Sequence, residues 1–330
     1  MTLEHLERAL ALAERGRGTA APNPIVGCVL VDPGGEVVGE GWHVRPGTPH
    51  AEAHALAQAG ERARGATAYV SLEPCAHHGR TPPCADALVE AGVARVVAAI
   101  GDPDPRTNGS GFARLREAGI EVVLPGGELE RRARVQNEGF RVHAALGRPL
   151  VVYKSAVTLD GRVAAASGDA RWVSGEASRR LVHELRARVD AVAVGLGTVR
   201  RENPLLTARD VEVVRQPRRL AFGRGPLPAG SELELRSGPL EDELRALAAE
   251  DVQTLLLEGG PTLAAAFLAA GAIDRLMLFV APKLLGGDDG PSLFHGPGAA
   301  RMADALPLVH ATTRAVGEDV LIEGYLRELP

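Results

Sequence analysis

Four residues within a span of 35 combine side chains that bind a divalent metal with one that moves a proton. His50-Ala51-Glu52 precedes Ser71-Leu72-Glu73-Pro74-Cys75, and eight residues, Ala76 to Pro83, separate Cys75 from Cys84. One imidazole and two thiolates suit zinc, and three protein ligands leave a fourth position for water. Two thiolates balance the double charge of the metal, so a water bound there loses a proton near neutral pH and becomes a nucleophile. Glu52 lies two residues from His50 and is free to carry that proton to a leaving amine. Taken singly, a cysteine is an ordinary small core residue. A structural zinc needs a fourth protein ligand, which His77 or His78 could supply. The ordered set of His50, Glu52, Cys75 and Cys84 favours a catalytic metal.

The elements around these residues must hold them rigidly. Leu3 to Arg15 has apolar residues at helical spacing, and Pro22-Asn23-Pro24 ends that pattern. Ile25 to Val31 reads as a buried strand, with a turn at Asp32-Pro33-Gly34-Gly35. Helices are expected from His50 to Ala59 and from Cys84 to Ala91, and strands over Ala66 to Leu72 and Ala94 to Ile100. Ligands at helix starts gain from the partial positive charge there, which favours thiolate. A helix over Phe112 to Ala118 and a strand over Ile120 to Leu124 complete an alternating α/β layered pattern. Glu128 to Leu146 reads as one charged amphipathic helix, and Gly147-Arg148-Pro149 then marks a boundary between domains 1–147 and 148–330.

In the second half, Leu150 to Val157 reads as a strand that carries Lys154 inside an apolar run, where a lysine needs a partner. Leu159-Asp160-Gly161-Arg162 is a tight turn, Glu176 to Arg188 a helix and Ala191 to Val194 a strand. Gly195-Leu196-Gly197 alone is a turn signal, since it lacks the third glycine of a dinucleotide fingerprint. Leu255-Leu256-Leu257-Glu258-Gly259-Gly260-Pro261 says more. An apolar strand ends in two glycines and a helix opens with proline, leaving backbone N–H groups that can hold a diphosphate.

The 330 residues suit two domains, and 45% hydrophobic and 24% charged residues are ordinary for a globular chain. A net charge of -5 argues against a broad nucleic-acid surface. Three cysteines argue against a disulfide framework and suit a reducing cytoplasm. No apolar run is long enough to span a bilayer, and Met1-Thr2-Leu3-Glu4-His5 does not begin a secretory signal.

The order His-x-Glu, Pro-Cys, Cys is that of zinc nucleobase deaminases, in which the cysteines stand closer together. The longer stretch from Glu73 through Cys84, with Ala76-His77-His78-Gly79-Arg80-Thr81-Pro82-Pro83 inside it, resembles the bifunctional riboflavin-biosynthesis deaminase/reductase family. So do Lys154 through Arg162, Ser167 through Ser174, Glu202 through Arg209 and Ala281 through Gly287. The resemblance implies a cytidine-deaminase-like domain followed by a dihydrofolate-reductase-like domain, with Zn2+ in the first and NADPH in the second. It implies that Asn23 and His43 line the pyrimidine pocket. Arg80, where a lysine is common in the family, would hold a substrate phosphate. Ala156, Trp172, Thr198, Glu202 and the run Gly260, Pro261, Thr262, Leu263, Ala264, Ala265 and Ala266 correspond to NADPH contacts. Arg186, Leu206, Arg209 and Glu258 correspond to substrate contacts, with Lys154 and Glu258 as candidates for proton handling. Phe222-Gly223 departs from an Asp-Ser pair that the family often has near the cofactor. The family also implies a homodimer acting on a small phosphorylated pyrimidine. Three rivals remain at this point: an RNA-acting deaminase with a binding module, a reductase with structural zinc, and a nucleotide-binding protein without turnover.

Overall fold

The computed structural model describes residues 3–77 and 82–330, and the chain divides into two compact units, 1–146 with Pro330 and 147–329. In the first unit the elements run α1 (Glu4–Ala13), β1 (Gly27–Val31), β2 (Val37–Trp42), α2 (Ala51–Ala59), β3 (Thr67–Val70), α3 (Cys84–Glu90), β4 (Arg95–Ala98), α4 (Ser110–Glu117), β5 (Glu121–Val123), α5 (Gly127–Gln136) and α6 (Glu138–Leu146). The five strands form one sheet in the order β2-β1-β3-β4-β5. β1 is antiparallel to both neighbours, and β3, β4 and β5 are parallel.

Alternation along each strand sorts its side chains to two faces. Cys28 and Leu30 join Ala68, Val70, Val96 and Ala98 under α2, α3 and α4. Val29 and Val31 join Tyr69 and Val97 under α1 and α5. The result is a three-layer α/β/α sandwich in which α2 and α3 stand on the same face.

Small residues set how closely α2 can lie on β2. A Cβ built on Gly39 would stand 2.1 Å from the Ala55 carbonyl oxygen. One built on Gly41 would stand 2.3 Å from the Ala51 oxygen and 2.6 Å from the His54 Cβ. Gly41→Ala therefore must lift the start of α2, the turn that carries His50 and Glu52. Overpacking of this kind costs about 1–3 kcal/mol, and contact with rigid backbone puts this site toward the upper end. The variant is expected to melt earlier and to bind zinc more weakly, as read by thermal denaturation and metal titration.

One sequence expectation fails here. Glu128 to Leu146 is two helices, α5 and α6, broken at Asn137. The Asn137 side chain leaves the helical pattern to accept a hydrogen bond from Ile25 N at 3.0 Å and donate one to Ile25 O at 2.9 Å. Those two bonds satisfy the backbone just before β1, where the chain would otherwise be buried without partners.

The second unit contains β6 (Leu150–Thr158), α7 (Glu176–Arg186), β7 (Ala191–Gly195), α8 (Leu196–Glu202), β8 (Arg218–Phe222), β9 (Glu234–Arg236), α9 (Leu240–Ala249), β10 (Thr254–Leu257), α10 (Pro261–Ala269), β11 (Arg275–Ala281), β12 (Val309–Val316) and β13 (Asp319–Tyr325). Its eight strands are ordered β12-β13-β11-β6-β10-β7-β8-β9. The six from β11 to β9 are parallel, and β13 and β12 add an antiparallel hairpin at one edge. Parallel strands need both faces covered, which explains their nearly continuous apolar runs. Val151, Tyr153, Ala191, Ala193, Leu255 and Leu257 pack with Leu244 and Leu247 of α9 and Phe267 of α10. Among the described residues no helix is long and apolar enough to cross a membrane.

Candidate active sites

In the first unit, the backbone places the metal-ligating side chains before any metal is considered. His50 is the residue before α2, and Cys84 is the first residue of α3. Cys75 lies on the segment that leaves β3, where the Cys84 N–H points at its sulfur from 3.4 Å. His50 Nδ1 is 3.3 Å from the Cys84 Sγ and 3.6 Å from the Cys75 Sγ. The three ligand atoms lie within 4.8 Å of one another, as a single metal ion requires. The Cys84 hydrogen bond and then His50 draw Cys75 down to about 4, while that same bond and burial push Cys84 up. A soft, partly ionised donor set of two sulfurs and one imidazole nitrogen fits zinc, with a position left for water. His77 instead sits with its Nδ1 3.3 Å from the Thr107 hydroxyl and does not join the cluster.

Glu52 occupies the first turn of α2 and is only 3% exposed. Burial raises its pKa above the usual carboxylate range, and its side chain is hydrogen-bonded to Cys84. It is therefore beside the ligands without being needed as one. Asn23 and His43 come together as well. The Asn23 Nδ2 is 3.0 Å from the His43 Nε2, and the His43 ring lies 5.0 Å from that of His50 in an edge-on contact. Burial, and then His50, hold the His43 pKa low, so its neutral imidazole can exchange hydrogen bonds with an uncharged ring. Arg80, like His78, lies outside the described residues.

Glu73 is a residue whose role the motif alone did not reveal. Its buried carboxylate accepts hydrogen bonds from the N–H groups of Asp102, Gly109, Gly111 and Phe112. It thereby ties the 101–109 loop and the start of α4 to the Pro74-Cys75 segment. The available signal was a glutamate immediately after an apolar strand, since a buried carboxylate must find donors. Within the loop, burial pushes Asp102 up to about 7.

In the second unit, the C-terminal ends of β6, β10 and β7 collect the candidate residues, the usual place for ligands of a parallel sheet. Leu257 pairs with Tyr153, so Lys154 and Glu258 emerge side by side. Glu258 is held by both arms of Arg186, with Nε to Oε1 at 2.6 Å and Nη2 to Oε2 at 2.8 Å. Arg186 Nη1 also donates to the Thr207 carbonyl at 3.1 Å. Burial raises the Glu258 pKa, but Arg186 and Lys154 outweigh it and the net shift is downward. Burial lowers Lys154, partly offset by Glu258. Arg186 already has its fork filled by a carboxylate, whereas Arg209 bonds only the Thr207 hydroxyl through its guanidinium among the described residues. His183, one turn before Arg186, accepts from the Arg209 N–H at 3.1 Å and was not foreseen. The Val182-His183-Glu184-Leu185-Arg186 spacing puts both on one helix face. Leu206 is buried with a φ of 53°, which fixes the bend of this loop.

Gly259 has a φ of 102°, and Gly260 precedes Pro261 at the start of α10. The first intrahelical bond runs from Ala264 N to Gly260 O, which leaves the Thr262 and Leu263 N–H groups at the open end. A Cβ on Gly260 would lie 3.5 Å from the Thr198 Oγ1, so α8 and α10 meet at this point. Ala264 faces the core, while Ala265 is half-buried and Ala266 exposed. Ala156 is half-buried on β6 opposite Phe279. Trp172 is 63% exposed and stacks under Arg179, and Glu202, at the far end of α8, lies 4.0 Å from Arg171. Phe222 packs edge-on against Phe267, and a Cβ on Gly223 would stand 2.7 Å from the Leu196 Cβ. The Phe-Gly departure thus lies where the end of β8 packs tightly against the start of α8, with no room for a hydroxyl-bearing side chain.

A layered unit with a His-Cys-Cys cluster beside a buried glutamate, followed by a parallel-sheet unit with an anion-ready helix start, defines a zinc deaminase joined to a reductase. Residues 2–100 match the cytidine and deoxycytidylate deaminase zinc-binding region, and residues 149–228 and 232–322 match the RibD C-terminal domain. The chain is 41% identical to the riboflavin biosynthesis protein RibD of Escherichia coli, covering 96% of this chain and 97% of that one. It is also similar to the structure of Acinetobacter baumannii RibD in its form 1, with 38% identity, 98% of each chain covered and a TM-score of 0.88. A Thermotoga maritima diaminohydroxyphosphoribosylaminopyrimidine deaminase/5-amino-6-(5-phosphoribosylamino)uracil reductase superposes with a TM-score of 0.84 at 34% identity, covering 98% of this chain and 97% of that one. The chain belongs to the RibD family, the bifunctional deaminase/reductase enzymes of riboflavin biosynthesis.

Proposed function

We propose that the first unit hydrolytically deaminates 2,5-diamino-6-(5-phosphoribosylamino)pyrimidin-4(3H)-one. The second then reduces its ribosyl group with NADPH to give 5-amino-6-(5-phosphoribitylamino)uracil. The observation that carries this reading is the convergence of His50, Cys75 and Cys84 within 4.8 Å beside buried Glu52. His50, Cys75 and Cys84 would hold one zinc ion, which would supply Lewis acidity and make water nucleophilic near neutral pH. Glu52 takes up the proton released by the attacking water and returns it to the departing amine, so that ammonia leaves. His43, fixed by Asn23, orients the pyrimidine edge, and Arg80 grips the phosphate.

In the second unit the dinucleotide supplies the hydride chemistry, and the protein supplies position. The N–H groups of Thr262 and Leu263 at the start of α10 hold the diphosphate, with Gly260 and Thr198 alongside. Ala156, Trp172, Glu202, Pro261 and the rest of the run to Ala266 complete the cofactor contacts. Arg209 takes the substrate phosphate, Leu206 shapes the loop, and Arg186 fixes Glu258. Lys154 and Glu258 handle the proton that ring opening requires. The enzyme works in the cytoplasm as a homodimer on this small molecule, with no nucleic-acid or membrane partner.

Removing the metal separates a catalytic from a structural role. Chelation of the full chain is expected to stop ammonia release while the circular dichroism spectrum and the reduction of already deaminated substrate persist. Unfolding on chelation would contradict the catalytic assignment, because a structural zinc contributes directly to folding.

A further inference from the structure

We propose that His183 and Gln216 are positioning residues that hold the 205–209 loop in the shape that receives the phosphate of the reductase substrate. The inference rests on the reading of Arg209 as the ligand of that phosphate and goes beyond it to the groups that place the arginine.

The chain between α8 and β8 contains no strand or helix, and its backbone is costly to hold. Asn203, Leu206 and Asp210 have positive φ, at 40°, 53° and 61°. Asparagine and aspartate visit this conformation because their short polar side chains bond locally. Leu206 has no such help, and a left-handed leucine persists only where its surroundings impose it. The imposing groups are side chains from outside the loop, and they take its backbone groups almost in sequence. Arg219 Nη1 donates to the Leu205 carbonyl at 3.3 Å, and Arg186 Nη1 to the Thr207 carbonyl at 3.1 Å. Gln216 takes both sides of buried Ala208: its Oε1 accepts from Ala208 N and its Nε2 donates to Ala208 O, each at 2.9 Å. His183 Nδ1 accepts from Arg209 N at 3.1 Å.

Two of these four groups have other work. Arg186 is bound to Glu258 and Arg219 to Glu232. The side chains of His183 and Gln216 make no other hydrogen bond among the described residues, and theirs fall on Ala208 and Arg209. Together they fix the peptide that enters Arg209, and so the direction in which its side chain leaves. The Arg209 guanidinium is exposed and spends only one bond on the Thr207 hydroxyl, which leaves its remaining N–H groups for an anion. His183 can accept at Nδ1 only as a neutral ring with its proton on Nε2. Burial, and then Arg186 and Arg209, keep it neutral against the opposing pull of Glu258 and Asp210. His183 and Arg186 are one turn apart on α7, so the same helix face binds both the loop and Glu258. α7 thereby sets the spacing between the phosphate ligand and the pair placed for proton transfer.

The test follows NADPH oxidation by the full chain on 5-amino-6-(5-phosphoribosylamino)uracil and on the same compound without its phosphate. His183→Leu, Gln216→Leu and their pair are compared with wild type and with His183→Asn, whose side-chain oxygen can accept where Nδ1 did. Each leucine variant is expected to raise KM for the phosphorylated compound about 3- to 10-fold, as the loss of a positioning hydrogen bond implies, and the pair to raise it further. Turnover at saturation and NADPH affinity should stay within about twofold of wild type, the signature of lost substrate binding rather than lost chemistry. His183→Asn should return KM close to wild type, and KM for the phosphate-free compound should not move. Hydrogen exchange at the Ala208 and Arg209 amides should quicken in the leucine variants, which reads the loop without any turnover. An unchanged KM in the pair would overturn the proposal. So would an equal rise for both compounds, which would mark a loss of structure rather than of phosphate placement, or an asparagine variant as weak as the leucine one. A wild-type chain that reduces neither compound would overturn the substrate reading and the proposal with it.

Discussion

Glu52→Gln is expected to slow ammonia release by about 10²–10⁴-fold, the usual contribution of a positioned general acid-base group. Zinc content and melting temperature should stay close to wild type. Glutamine has the shape of glutamate and keeps a hydrogen-bonding amide in the first turn of α2, but it cannot accept and return a proton. The position matters as much as the chemistry. Glu52 is buried beside Cys84, and burial holds its proton affinity above that of a solvated carboxylate, which suits a group that must both take and give. Reduction of substrate that has already lost its amine should be unaffected, because that chemistry belongs to the other unit. Ammonia release within tenfold of wild type in this variant would show that another group moves the proton.

Arg186→Ala is expected to abolish reduction and to destabilise the second unit by about 3–5 kcal/mol, the cost of leaving a buried carboxylate without its partner. Both oxygens of Glu258 are bound by this one guanidinium, and Lys154 is the remaining cation nearby. Arg186→Lys should not rescue, because an ammonium cannot reproduce the two parallel bonds. The double variant Arg186→Ala/Glu258→Gln separates stability from function. It removes the orphaned charge and should recover much of the melting temperature without recovering turnover, a coupling that a double-mutant cycle reads directly. Full reductase activity in the double variant would mean that the pair only holds the fold together.

The two sites differ in how much of them the sequence displays. The zinc cluster is legible because its chemistry constrains residue type, and two of its ligands, His50 and Cys84, sit at helix starts that periodicity already marks, whereas Cys75 lies on the segment after β3. Asn23 and His43 are not legible in that way. They meet because β1 pairs with β2 so that Gly27 faces Trp42, which brings the residues before one strand and after the other to the same end of the sheet. The Arg186–Glu258 pair spans 72 positions and depends on β10 settling between β6 and β7. Only the resemblance pointed to those residues, and it did not reveal that they bind each other. Asn137 shows the opposite limit. Nothing in the charged pattern from Glu128 to Leu146 announces a break, because the partner that causes it, Ile25, is 112 residues away. Glu73 likewise draws its donors from residues 29 to 39 positions further on.

The most direct test of the central claim is one assay on the diaminopyrimidinone ribosyl phosphate. Ammonia release and NADPH oxidation are followed together on zinc-replete full chain, with and without NADPH. Ammonia should appear in both cases, and NADPH should be consumed only as the deaminated intermediate accumulates. Oxidation of NADPH ahead of ammonia would contradict the order assigned to the two units, and silence in both channels from folded, zinc-loaded protein would contradict the assignment of the two activities.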